Sequence, residues 1–345
     1  MMILKRMPVI LPEIEQIEKR LEELKGIARV SVIAESKQDQ LSFPIYKISF
    51  GTDDPKAPVL GLIGGIHGLE RIGSQVCVAL FQTFTQLVLW DSTMRKNLEN
   101  FRIFFIPTVN PIGIHKLRRA NPRGVDLMRN APVEAPEKPA FLLGGHRFSS
   151  KLPWYRGENE KMELESQALV DAVRAETFQS SRVVTVDFHS GFGVVDRLWF
   201  PYAKTTVPFP DLPYMHSFKD LLDRTYPHHF YLLEPQSKSY TTHGDLWDYL
   251  YDEYRKVSEV DRIYLPLTLE MGSWMWVKKN PFQIFSSHGP FNPIKHHRFK
   301  RVLRRHNTLF EFLIRSLLAS GAWSNLTEDQ VHKHHERGTK LWYGK

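Results

Sequence analysis

The sequence predicts an α/β layer fold built on a mostly parallel or mixed central sheet, and three observations carry that expectation. Short β-type runs alternate with amphipathic helical stretches along most of the 345 residues. Hydrophobic residues make up 42% and charged residues 24%, a globular balance that excludes wholesale disorder. Aromatic residues reach 12%, enough for a sizeable core or a cleft lined with rings.

Residues 12–25 read as a short amphipathic helix, followed by β-type runs at 28–33, 45–50 and 58–63. Ile72, Val76, Leu80, Phe84 and Leu87 recur at helical spacing and predict a helix over about 70–90. Further strands are expected at 102–106, 182–187, 198–201, 230–233 and 262–269, with helices at 160–177, 215–225 and 245–256 between them. The stretch 131–157 holds four prolines and three glycines without periodicity, so it reads as a long loop of the functional kind. A last helix is expected over 293–319, capped by Asn292, with Pro293 in its first turn and Phe299, Val302, Leu303, Leu309, Phe310, Leu313 and Leu317 as its apolar face. The tail after Gly321 is polar and reads as a peripheral extension.

Composition narrows the chemistry. The single cysteine, Cys77, excludes an intrachain disulfide and a thiolate metal cluster, so any metal must be held by His and carboxylates. No run approaches the roughly 18 consecutive apolar residues of a membrane span. Lys5 and Arg6 precede only a short apolar stretch, Pro8 to Pro12, and a charged helical pattern follows at once. The expectation is a soluble, cytoplasmic protein. The net charge is +8, and residues 281–345 carry eleven Lys/Arg against four Asp/Glu. A solvated basic helix surface is the preferred reading of that surplus. The competing reading is a nucleic-acid- or membrane-surface-binding helix using Lys295, Arg298, Lys300, Arg301, Arg304 and Arg305.

Five segments fall at or just after expected strand ends, the edge of an open α/β sheet where ligands bind. They are Gly64-Gly65-Ile66-His67-Gly68-Leu69-Glu70, Asn110-Pro111-Ile112-Gly113, Gly124-Val125-Asp126-Leu127-Met128-Arg129-Asn130, Asp187-Phe188-His189-Ser190 and Thr268-Leu269-Glu270-Met271-Gly272. His67 and Glu70, three apart in a turn entering a helix, can aim at one point as two metal ligands must. Fifteen His and 38 acidic residues predict about 1.7 such His-x-x-acid pairs by chance, and this is the one that occurs. Taken alone, a hydrogen-bonded structural pair is the better explanation; the flanking glycines, which suit a tight strand-to-helix turn, are what raise the metal reading. His189 is the natural third ligand, with Asp187 or Ser190 placed to orient a ring nitrogen. Two His, one Glu and an open fourth position make a catalytic zinc arrangement, as in carboxypeptidase A.

The ordered set His-x-x-Glu, Asn-Pro-x-Gly, Arg-x-Asn-x-x-Gly-Val-Asp-Leu-x-Arg-Asn, strand-His-Ser and Thr-Leu-Glu resembles the zinc metallocarboxypeptidase family of carboxypeptidase A over about residues 45–320. The resemblance implies a three-layer α/β/α fold with a mixed, twisted, roughly eight-stranded sheet. It favours one domain over 1–320, followed by a polar extension over 321–345, above the two domains that length alone suggests. It implies zinc bound by His67, Glu70 and His189, with Glu270 as general base toward the attacking water. It further implies Arg119 as the oxyanion-stabilising arginine, with Arg118 and Arg123 as alternatives, and Arg129 as the arginine that holds a terminal carboxylate. Tyr240 matches a mobile tyrosine over the cleft, or is a surface ring.

One position departs from the family. Asn usually precedes the carboxylate-binding arginine, and here the residue is Met128, whose thioether cannot donate. That keeps open the related zinc amidohydrolases resembling succinylglutamate desuccinylase and aspartoacylase, which the Thr268–Gly272 segment also resembles. The expected substrate is therefore a peptide or, alternatively, an N-acyl amino acid.

Overall fold

Apolar runs too short for helices pair into one eight-stranded sheet. In chain order the strands are β1 (Ala28–Gln38), β2 (Leu41–Gly51), β3 (Val59–Gly64), β4 (Arg102–Ile106), β5 (Arg182–Ser190), β6 (Arg197–Phe200), β7 (Leu232–Pro235) and β8 (Ile263–Met271). This computed structural model describes residues 10–159, 161–257 and 261–344, so the reading of Lys5 and Arg6 lies outside the described residues. Spatial order is β1-β2-β4-β3-β5-β8-β6-β7. The four central strands run parallel; β1 pairs with β2, β2 with β4 and β6 with β8 antiparallel, while the edge strand β7 runs parallel to β6. β3, β4, β5 and β8 are buried almost throughout, as parallel strands covered on both faces must be.

The helices are α1 (Pro12–Leu21), α2 (Arg71–Trp90), α3 (Ser92–Asn97), α4 (Pro111–Lys116), α5 (Leu164–Thr177), α6 (Leu212–Thr225), α7 (Leu246–Val257), α8 (Trp274–Lys279), α9 (His296–Arg305), α10 (Asn307–Leu318), α11 (Gly321–Ser324) and α12 (Glu328–Tyr343). On one face of the sheet, Phe84 of α2 and Phe310 of α10 close on Phe105 of β4. On the other, Tyr254 of α7 meets Tyr264 of β8, whose hydroxyl pairs with Thr185 of β5. Each such fully buried ring contributes about 1.5–3 kcal/mol. The result is the expected α/β/α sandwich with a mixed sheet. Among the described residues, α2 has the length and apolar composition of a membrane span, but it lies mostly buried against β3 and β5, as a core helix does.

Three expectations change. β5 and β8 run further than 182–187 and 262–269, and so carry His189 and Glu270 inside the strands rather than beyond them. The helix expected over 293–319 divides into α9 and α10 at His306, which is buried and whose Nδ1 faces the Tyr231 hydroxyl at 2.9 Å. Asn292 does not cap it: its Oδ1 accepts from the Ile72 amide of α2 at 2.9 Å and its Nδ2 donates to the Leu69 carbonyl at 2.8 Å. The segment after Gly321 is not peripheral. A Thr327/Gln330 capping box starts α12, which packs along α6 and buries Trp342, and the Trp342 indole donates to the Leu233 carbonyl.

Candidate active site and its relatives

The parallel strands deliver the chemistry to one edge. The chain leaves β3 at Gly64, and Gly65 takes φ +72°, a left-handed conformation that turns the backbone sharply toward His67. Gly68 lies so close to α4 that a Cβ would sit 2.0 Å from the Gly113 carbonyl carbon. His67 and Glu70 therefore precede α2 on a turn that is sterically fixed. In register, His189 of β5 is paired with Glu270 of β8, so both side chains project to the same face.

Three ligand atoms converge. His67 Nδ1 lies 2.9 Å from Glu70 Oε1, and His189 Nδ1 lies 3.0 Å from Glu70 Oε2. The two Nδ1 atoms are 3.1 Å apart. All three residues are buried. Each outer ring nitrogen is held: His67 Nε2 by Asp126 Oδ1 at 2.9 Å, and His189 Nε2 by Asp187 Oδ2 at 2.6 Å. With Nε2–H donated outward, both Nδ1 lone pairs face the same point beside a carboxylate, which is the donor set a zinc ion requires. Trp247 of α7 donates to Asp187 at 3.0 Å and the Ser190 amide to Glu70 at 3.0 Å. Asp187, one of the two orienting residues expected, thus holds the ring, while Ser190 serves Glu70 through its backbone.

The electrostatics follow from burial and neighbours. Burial pushes Glu70 up, but His67, His189 and Arg119 outweigh it and hold the carboxyl well below the ordinary range. Asp126 is likewise depressed, because Arg119, His67 and Arg129 overcome its burial. Burial, then the charge of Glu70, pushes Glu270 up to about 8. Positive charge placed in the cluster would reverse that second effect. The Phe192 amide donates to Glu270 Oε1 at 3.0 Å and fixes its direction.

A cleft of about 460 Å³ opens over this cluster, and Arg119, Met128, Arg129, Tyr240 and Glu270 all line it. Arg119 donates through Nη1 to Glu70 at 2.7 Å and through Nε to Asp126 at 2.9 Å, which sets the plane of its guanidinium against the cleft wall. Arg118 and Arg123 are exposed and do not line the cleft. Arg129 is buried and donates to Asp126 at 3.1 Å and to the Leu143 carbonyl at 3.1 Å. Tyr240 is half-buried, with its ring 5.9 Å from Phe192 and 6.0 Å from Trp199. Asp126 is the residue sequence reasoning passed over. It touches His67, Arg119 and Arg129 at once, and its place inside the longest motif was the available signal.

Fold and site together define an α/β protein with an open two-histidine, one-glutamate cluster able to hold a metal at the carboxyl edge of its sheet. The pattern of the zinc carboxypeptidase family matches residues 14–273, and the chain belongs to that family. It is 25% identical over 127 residues to carboxypeptidase D of Anas platyrhynchos, covering 34% of this chain and 8% of that one. It is 24% identical over 177 residues to the carboxypeptidase N catalytic chain of Rattus norvegicus, covering 45% of this chain and 35% of that one. The matches thus span well under two thirds of these relatives' lengths. Among solved structures, bovine thrombin-activatable fibrinolysis inhibitor, in complex with a tick carboxypeptidase inhibitor, superposes with a TM-score of 0.64 at 18% identity, covering 93% of this chain and 99% of that one. That likeness is one of fold.

Proposed function

We propose that this chain is a zinc-dependent metallocarboxypeptidase acting on peptides with a free C-terminal carboxylate. The observation that carries the reading is the convergence of His67, Glu70 and His189 beneath a cleft also lined by Glu270, Arg119 and Arg129. Zinc bound there would polarise the scissile carbonyl and acidify water. The protein's own groups do the rest. Asp126 and Asp187 keep both imidazoles in the tautomer that presents Nδ1. Glu270 would take a proton from the attacking water and pass it to the leaving amine, work for which a buried carboxyl held in direction by the Phe192 amide is suited. Arg119 would stabilise negative charge growing on the carbonyl oxygen. Arg129 would hold the terminal carboxylate, and Tyr240 would close against the substrate.

Met128 lines the same cleft, buried, where a carboxylate-binding amide is expected. It supports a second reading, a zinc deacylase of N-acyl amino acids. Metal analysis of the purified protein, paired with hydrolysis of matched free-acid peptides, amidated peptides and N-acyl amino acids, tests both. One equivalent of zinc at the active site with preference for free-acid peptides is expected. Turnover of N-acyl amino acids alone would replace the first reading with the second.

A further inference from the structure

We propose a second metal site, unrelated to the catalytic cluster, formed by His216, Asp220 and His334 where α12 packs on α6, and taking a divalent first-row transition ion such as Zn2+. His216 and Asp220 stand one turn apart on α6 and so share a face. His334 comes from α12. The two helices approach closely because α12 has Gly338 opposite Leu212, where a Cβ would already lie 3.1 Å from Leu212 Cγ. One turn along each helix from that contact, antiparallel register brings His334 opposite His216. The two Nδ1 atoms are 2.8 Å apart, and the ligand atoms of all three residues lie within 4.8 Å of one another.

The chemistry favours a cation. His216 is buried, with the Trp342 ring 5.8 Å away, and His334 is half-buried. Two imidazoles meeting at Nδ1, 2.8 Å apart, either share a proton or share a cation between two lone pairs. The Asp220 carboxylate, with its ligand oxygen within 4.8 Å of the ring nitrogens, is placed to supply the third, anionic ligand that only the cation needs. Two imidazoles and one carboxylate suit zinc, cobalt, nickel or copper rather than calcium or magnesium. Tetrahedral Zn–N bonds of roughly 2.0–2.1 Å set nitrogens roughly 3.3 Å apart, so the rings need spread by only about half an ångström. An ion here pins the last helix to the body of the fold and binds only the docked state, which it therefore stabilises.

The test uses the full chain stripped with a chelator and titrated with Co2+ and Zn2+. The wild-type chain is expected to bind two equivalents of Zn2+, His334→Gln and Asp220→Asn one each, and His67→Ala one. Hydrolytic activity should survive His334→Gln. In His67→Ala, which keeps the helix seam intact, one equivalent of Co2+ should give the visible absorption of a tetrahedral site, and Zn2+ should raise Tm by several degrees. Adding His334→Gln to that variant should abolish both effects. A wild-type stoichiometry of one that His334→Gln leaves unchanged would overturn the site and leave a histidine–histidine hydrogen bond. So would a His67→Ala chain that folds and takes up no Co2+. Neither result bears on the catalytic cluster, whose zinc is counted separately in His334→Gln.

Discussion

Among the described residues two clusters pair two imidazoles with one carboxylate, and their surroundings differ. At the sheet edge, both histidines meet buried aspartates through their outer nitrogens, Asp126 at 2.9 Å and Asp187 at 2.6 Å. At the α6–α12 seam, no carboxylate bonds the outer nitrogen of His216 or His334 among the described residues, and only the 2.8 Å contact between the rings positions them. The first cluster also faces a cleft of about 460 Å³ with Glu270 and two arginines in its walls, whereas the second lies between helices. Chemistry on a substrate needs ligands whose direction is fixed by a further layer of hydrogen bonds, plus an open side. Joining two helices needs only donors within reach.

The largest expected effect breaks the symmetry between the clusters outright. His67→Ala should remove the zinc of the sheet-edge cluster and bring hydrolysis below detection, as read by metal analysis and peptide turnover. Unchanged zinc content in that variant would dismiss the ligand set. Next comes Glu270→Gln, which should keep zinc while kcat falls about 10²–10⁴-fold, because an amide cannot accept the proton. Retention of more than about a tenth of wild-type kcat would exclude Glu270 as the base.

Asp126→Asn and Asp187→Asn sharpen the comparison at intermediate size. Each should weaken zinc binding by about 10–100-fold, read by competition with a chromophoric chelator. Equal affinity in both variants and the wild type would mean that the outer hydrogen bonds do not distinguish the clusters. The smallest expected effect is at Met128. Restoring a donor with Met128→Asn should lower KM for free-acid peptides by about tenfold, the worth of a hydrogen bond of about 1.5 kcal/mol to a charged group, and leave amidated peptides unchanged. If neither Met128→Asn nor Arg129→Ala alters the preference for free acids, the carboxylate subsite is elsewhere and the deacylase reading moves ahead.

Much of the site was legible because its residues sit in local patterns. His67 and Glu70 lie three apart between glycines and His189 follows an apolar run, so spacing and periodicity pointed to them, whereas Glu270 was marked by the resemblance that Thr268-Leu269-Glu270 carries. The second cluster left no such trace. His216 and His334 are 118 positions apart, and no acid stands three residues after either. Asp126 was visible as a motif letter, but its simultaneous contact with His67, Arg119 and Arg129 joins segments up to 59 residues apart.

By itself the sequence determined the layer class, the central strands and the residues able to hold a metal without thiolates, since side-chain alternation, helical spacing and composition are local quantities. Only the tertiary structure decided where strands and helices end and what the tail does. β5 extends through His189 because β8 pairs with it as far as Ser190 and Met271. The helix expected over 293–319 breaks where His306 turns inward to Tyr231, and the polar segment after Gly321 docks because Trp342 finds the Leu233 carbonyl and the Phe200 ring. Each of those outcomes depends on a partner far away in the chain, and burial by a distant partner cannot be read from the residues next to it.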